Sequence, residues 1–286
     1  MRLVFVHGMR QEGKIADDLK KEWEDAVNAA WETRNLTKPS YTLEMPFYGD
    51  VLNDLVEEVR DSSADITARG EGGPGTFTPF EAELIREMGA NEGITDPEIQ
   101  EELGQEVVAR GPANWEWVQA IARLLERNVP ALGLLGLKFV RQVDGYLTRP
   151  HIQQAVDDVV RPSLLQGSTV VVAHSLGTIV AYLLLRKAGE NAKIPLFVTL
   201  GSPLGIDAVK QNLLPPSLRV PAGVAKWLNG TDERDYVALH SRLDRDTFAE
   251  NIENVSDLHN RESDAHAIVD YLSDDTVCRR IHTALE

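Results

Sequence analysis

Residues 169–185, TVVVAHSLGTIVAYLLL, constrain this chain more than any other stretch. A β-branched run at 169–172 passes almost directly into an apolar run at 179–185. Such a pattern reads as a fully buried strand feeding a helix. No Pro, Asn or Asp stands between them to make an ordinary turn. Instead the junction holds Ala173, His174, Ser175 and Gly177. A sharp strand-to-helix bend needs small neighbours and lifts one side chain, here Ser175, above the sheet end. The plain alternative is that Ser175 simply caps the helix.

The rest of the chain repeats the strand–helix theme. Strand patterns occur at 3–6 (LVFV), 41–45 (YTLEM), 196–200 (LFVTL) and 224–229 (VAKWLN), with a short one at 252–255. Helical spacing occurs at 14–31, where Ile15, Leu19, Trp23, Val27 and Ala30 share a face, and at 51–59, 151–165, 176–188, 202–212 and 264–285. This alternation predicts an α/β fold with a mostly parallel central sheet and helices on both faces. Residues 61–79 (DSSADITARGEGGPGTFTP) read as a loop. Helical patterns follow near 80–88, 97–110 and 114–128, the last with Asn114 as N-cap. We therefore expect 1–286 to be one domain, with 60–150 inserted as a helical cap. A 286-residue chain that is 43% hydrophobic can bury a core of that size.

Charge and composition narrow the partners. A formal net charge of −16 repels nucleic acid and anionic headgroups. The single cysteine, Cys278, permits no intrachain disulfide and no Cys-rich metal site. No His, Asp or Glu group shows metal-ligand spacing along the sequence. The start MRLVFVHG lacks the pattern of a secretory signal, so a cytoplasmic location is expected. No apolar run reaches the 18 or so residues of a membrane span. The most apolar stretch, 129–140 (VPALGLLGLKFV), reads as a buried helix. The rival reading is a lid touching lipid or substrate, which Pro130, Gly133 and Gly136 would loosen.

Ser175, with Ala173 two residues before and Gly177 two after, resembles the G-x-S-x-G nucleophile elbow of the α/β-hydrolase superfamily, with Ala in place of the first Gly. The block VRPSLLQGSTVVVAHSLGTIVAYLLL is similar to bacterial lipase-like hydrolases, and the resemblance covers residues 1–60 and 150–286. It implies a serine esterase with a catalytic triad in the chain order Ser, acid, His. A serine hydroxyl needs a base to take its proton, and that base needs a carboxylate to hold its tautomer. Asp235 of DYV fits the acid position, with Asp232 as the alternative and Glu233 as a solvated charge. His266 in ESDAHAIVDYL, with Tyr271 five residues on, fits the base. His259 is its alternative, because His240 follows the acid too closely and His282 lies deep in the terminal helix. The oxyanion donors implied are the backbone N–H groups of Met9 and Leu176. In LVFVHGM, His7 is then structural and Gly8 permits a tight bend, while His174 packs beside the elbow outside the chemistry. TLGSPLG at 199–205 is similar to the segment that walls the site, although Ser202 could equally cap a short helix.

The resemblance points to hydrolysis of a small-molecule or lipid-like carboxylic ester with no metal or organic cofactor. An acyltransferase, amidase or phospholipase would use the same triad, and an interaction protein could keep the fold without the chemistry. Arg10, Gln11 and Lys14 beside the oxyanion loop could hold a phosphate or carboxylate. A solvated loop and helix face is the plainer reading.

Overall fold

The β-branched runs do form a sheet. The computed structural model describes residues 1–67, 77–104, 115–128, 133–213 and 217–286. Its strands are β1 (Arg2–Val6), β2 (Thr42–Glu44), β3 (Thr169–His174), β4 (Phe197–Leu200), β5 (Trp227–Gly230) and β6 (Ile252–Val255). They build one six-stranded sheet in the order β2-β1-β3-β4-β5-β6. Every neighbouring pair is parallel, with Val4 opposite Val171, Val172 opposite Val198 and Val198 opposite Leu228. The sheet is thus wholly parallel rather than mostly so. Its order is of a kind found in Rossmann-like and hydrolase-like sheets.

Side chains alternate across the pleat and build two apolar layers. Leu3, Phe5, Val170, Val172, Val198 and Leu228 join a cluster with α1 (Ala16–Thr33), α10 (Ile268–Ser273) and α11 (Asp275–Leu285). Val4, Val6, Val171, Ala173, Phe197 and Trp227 join the other cluster. That layer carries α2 (Gly49–Thr67), α3 (Pro79–Asn91), α4 (Asp96–Leu103), α5 (Trp115–Asn128), α6 (Gly133–Thr148), α7 (Pro150–Leu164), α8 (Leu176–Ala188) and α9 (Asp207–Leu213). Strands buried on both faces explain why β1 and β3 read as unbroken apolar runs.

Three elements differ from the sequence reading. Helix α2 continues to Thr67, well past the expected end at 59, so the loop starts later than residue 61. The terminal helix breaks in two at Asp274, whose carboxylate accepts the N–H groups of Thr276 (2.8 Å) and Val277 (3.1 Å) and caps α11. Strand β5 begins at Trp227, while Val224 only bridges to Ile194. The Asn114 cap and residues 129–132 lie outside the described residues. From Gly133 onward the apolar run belongs to α6, where Phe139, Val140, Val143 and Tyr146 are buried. A Cβ on Gly145 would sit 2.7 Å from Val56 Cγ2, so α6 lies hard against α2. Among the described residues no helix is long and apolar enough to cross a membrane.

The chain leaves β1 toward β2 on one side and returns to β3 on the other. The strand order therefore reverses between β1 and β3. In open parallel sheets the crevice at the carboxyl ends of the strands flanking this reversal is where ligands bind. Residues 7–14 follow β1 and Ser175 follows β3, so both segments meet at that crevice.

Candidate functional site

Ser175 itself makes the bend. Its backbone sits at φ 54° and ψ −132°, a combination that costs a non-glycine residue about 1–3 kcal/mol. Its N–H is anchored to the Leu200 carbonyl at 3.1 Å. Its own carbonyl accepts both the N–H (2.9 Å) and the hydroxyl (2.7 Å) of Thr178. The Ser175 side chain makes no capping bond to α8, so the helix-cap reading fails. The hydroxyl is buried and has no hydrogen-bond partner.

The small neighbours serve packing rather than turning. A Cβ on Gly177 would collide with the carbonyl oxygens of Val6 and His7. Gly177 thus lets α8 lie directly over the end of β1. Gly8 was expected to permit a bend, yet left-handed backbone occurs further on, at Arg10 (φ 60°) and Gly13 (φ 72°). Gly8 is needed because a Cβ there would lie 2.6 Å from Ser175 Cβ. The two loops touch backbone to side chain at this point.

His7 locks the first loop from within. Its Nδ1–H donates to the Gly8 carbonyl (2.8 Å) and its Nε2 accepts the Tyr48 N–H (3.1 Å). The Tyr48 ring stacks on it with centroids 4.0 Å apart, and the Tyr48 hydroxyl donates to the His7 carbonyl. Burial drives the imidazole down to about 4 from an ordinary 6.5, against the bond to Gly8 and with help from Lys14. Between those values the unfolded chain takes a proton that the folded chain refuses. Stability from His7 is therefore full above pH 6.5 and is lost as pH falls, by about 3 kcal/mol at pH 4. Urea unfolding at pH 5 is expected to show roughly 2 kcal/mol less stability than at pH 7 from this group. His7→Gln should shrink that difference, and an unchanged difference would refute the assignment.

Asp235 and His266 meet beyond the ends of β4 and β5. His266 Nδ1–H donates to Asp235 Oδ2 at 2.7 Å. The same oxygen accepts the Tyr271 hydroxyl at 2.7 Å, and Asp235 Oδ1 accepts the Val237 N–H at 2.9 Å. His266 lies in the loop before α10 rather than in a helix, and its Nε2 is buried without a partner. Gly201, at φ 52°, closes over the pair: a Cβ there would lie 2.7 Å from Asp235 Oδ2 and 2.9 Å from His266 Nδ1. Ser202 Oγ accepts the Leu204 N–H (3.2 Å) and caps a short helical turn, and no residue of 199–205 lines the Ser175 cavity.

The alternatives are occupied elsewhere. Asp232 receives the Arg234 guanidinium (2.7 and 3.1 Å) and the N–H groups of Arg234 (2.8 Å) and Asn260 (2.7 Å). Burial pushes its carboxyl up, but these donors outweigh it and hold it below the usual range. Asp232 braces the turn. His259 is exposed. His240 pairs with Glu87 (2.9 Å), and His282 Nε2–H donates to the Thr37 carbonyl (2.8 Å). On the triad that the sequence resemblance implies, Asp235→Asn lowers ester turnover by roughly 10⁴-fold with little loss of stability, because it misorients the histidine tautomer. Asp232→Asn should instead destabilise and leave the turnover per folded molecule within a few-fold. A reversed pattern would exchange the two roles.

His174 does more than pack. Its Nε2–H donates to the His266 carbonyl (3.0 Å), and the two rings lie 4.3 Å apart. Burial, then the neighbouring His266, push its pKa well below the ordinary value. A neutral His174 therefore fixes the backbone that carries His266. Neither this bond nor the Tyr271 hydroxyl contact was legible as part of the site from residue order.

Ser175 and His266 line one cavity of about 330 Å³. Leu19, Trp23 and Ile268 are its large aliphatic and aromatic lining residues, and Met9, Arg10 and Lys14 line it too. Leu176 is the first residue of α8, where a backbone N–H has no acceptor within its helix. Met9 is buried and lines the cavity, whereas Leu176 does not line it. The loop carrying Met9 is clamped from outside the sheet. The Arg10 N–H donates to Gln142 Oε1 (3.4 Å), Lys138 pairs with Glu12, and the Gly13 N–H donates to Asp50 Oδ1 (2.7 Å). Two of these clamps come from α6, within the stretch expected to form a cap.

One group among the described residues has metal-ligand geometry: Glu87, Asp207 and His240. Its donors are already engaged. Glu87 caps α9 by accepting the N–H groups of Asp207 (2.8 Å) and Ala208 (3.1 Å), and Asp207 pairs with Lys210 (2.6 Å). None of the three lines the Ser175 cavity. No protein-family model matches this chain, and no curated protein matches it.

Proposed function

We propose that this protein is a serine hydrolase of carboxylic esters with an α/β-hydrolase fold, in which Ser175 is the nucleophile, His266 the base and Asp235 the orienting acid. One observation carries the reading. The Asp235 bond at Nδ1 leaves His266 Nε2 bare and buried, in the same cavity as an unpartnered Ser175 hydroxyl on a strained bend. A buried acceptor and donor without partners each cost about 1–3 kcal/mol, which a fold retains where the groups have work with a ligand.

In this reading His266 Nε2 takes the Ser175 proton as Oγ attacks the ester carbonyl. The charge on the carbonyl oxygen is met by the N–H groups of Met9 and Leu176. Asp235 stabilises the imidazolium and does not itself take the proton. His266 then protonates the leaving alcohol, and water, deprotonated by the same nitrogen, releases the acid. The insertion at 60–150 contributes α6, which steadies the oxyanion loop through Gln142 and Lys138. A series of 4-nitrophenyl esters from acetate to laurate tests this. The cavity is at the small end of ligand pockets, about 300–1,000 Å³, so short acyl chains should turn over best. No turnover of any ester by folded protein would reject the reading.

A further inference from the structure

We propose that the ester cleaved at this site is anionic, with a carboxylate or phosphate held by Arg10 and Lys14 a few bonds from the scissile carbonyl. This rests on the hydrolase reading above and narrows it to a substrate class.

Three observations support it. First, Arg10 and Lys14 line the cavity that holds Ser175 and His266. Both side chains are exposed there, and among the described residues neither makes an ion pair or hydrogen bond. Second, the third cation of the wall is already satisfied. Arg261 grips Asp270 with two bonds (2.6 and 2.7 Å), and the wall acids Asp264 and Glu22 also act on its guanidinium. The charge of Arg261 is matched by Asp270, and the wall acids Glu22 and Asp264 form no ion pair with Arg10 or Lys14, whose side chains stay open to a ligand. Third, Arg10 occupies a left-handed backbone position (φ 60°) that Gly or Asn would fill with less strain. Gln142 and the Lys138–Glu12 pair hold the loop in that shape. The strained position puts an exposed Arg10 in the cavity lining.

A guanidinium and an ammonium together suit an oxyanion, the first by its planar fork and the second as a point charge. The apolar lining residues Leu19, Trp23 and Ile268 leave room for the carbon chain between that group and the carbonyl. A long neutral acyl chain would leave both cations without a partner.

The test compares mono-4-nitrophenyl glutarate with 4-nitrophenyl pentanoate, which share chain length and leaving group. After the uncatalysed rates are subtracted, kcat/KM for the glutarate should exceed that for the pentanoate by about tenfold or more. The double variant Arg10→Gln/Lys14→Gln should cut that ratio by at least about tenfold, while Arg261→Gln changes it less. Raising the salt concentration should also shrink the wild-type ratio. Whichever of glutarate and methyl phosphate competes more strongly, and loses its effect in the double variant, names the oxyanion. A glutarate rate no higher than the pentanoate rate, zero included, overturns the inference, as does an unchanged ratio in the double variant. Failure of the hydrolase reading is separate: it would show as a folded protein whose Ser175 takes no fluorophosphonate.

Discussion

Ser175→Gly is expected to abolish ester hydrolysis and at the same time to raise thermal stability. The two effects come from the same backbone. Glycine occupies φ 54° freely, so the substitution releases about 1–3 kcal/mol of strain. It loses about 0.5–1 kcal/mol of that through the greater freedom of the unfolded chain. The net gain is about 1 kcal/mol, or roughly 2 °C for a chain of this size. Removing the nucleophile should reduce turnover by roughly 10⁴-fold or more. Ser175→Ala separates the terms: both variants shed the unpartnered hydroxyl, but only Ser175→Gly also relieves the backbone strain, so hydrolysis is lost in both and Ser175→Gly should melt above Ser175→Ala. A calorimetric scan of both variants checks this. If Ser175→Gly melts below wild type, the bend is not strained and the elbow account is wrong.

Gly201→Ala is expected to damage both stability and turnover. The position is left-handed, at φ 52°, and the added methyl would lie 2.7 Å from Asp235 Oδ2 and 2.9 Å from the His266 ring. Strain of about 1–3 kcal/mol and overpacking of similar size both apply. The Asp235–His266 bond must shift to make room, and a displacement of about 1 Å in a catalytic group costs on the order of 10²-fold in rate. Gly189→Ala is the control. It carries the same kind of backbone, at φ 56°, but opens onto empty space. It should cost stability alone. Equal turnover in Gly201→Ala and Gly189→Ala would mean that Gly201 does not set the position of the pair.

Much of the frame was readable from residue pattern. The change from a β-branched run to a helical one at 169–185 placed β3, α8 and the bend between them, because a strand buried on both faces has no polar alternation to hide it. The resemblance to lipase-like hydrolases, with its chain order, then led to Asp235 and His266. What the pattern could not show was contact between distant segments. Gly8 and Gly177 look like turn residues, and only the approach of β1 to the elbow reveals that they clear space for Ser175 and for two carbonyls. Asp232 and Asp235 are both buried and three residues apart. Arg234 and the Asn260 N–H separate them, and neither partner is visible in spacing. The break at Asp274 did have a signal: an Asp in SDDTV can cap a new helix. The apolar periodicity on both sides masked it. The long reach of α2 was hidden by Ser and Asp residues at 61–65, which favour turns locally but not within a helix already nucleated.

The central claim is that Ser175, His266 and Asp235 act as one unit. It is tested most directly by treating the folded protein with a fluorophosphonate and mapping the adduct by mass spectrometry. One adduct on Ser175 is expected, absent in Ser175→Ala and much slower to form in His266→Gln and Asp235→Asn. A folded wild type that takes no label, or a label that persists in Ser175→Ala, would contradict the account.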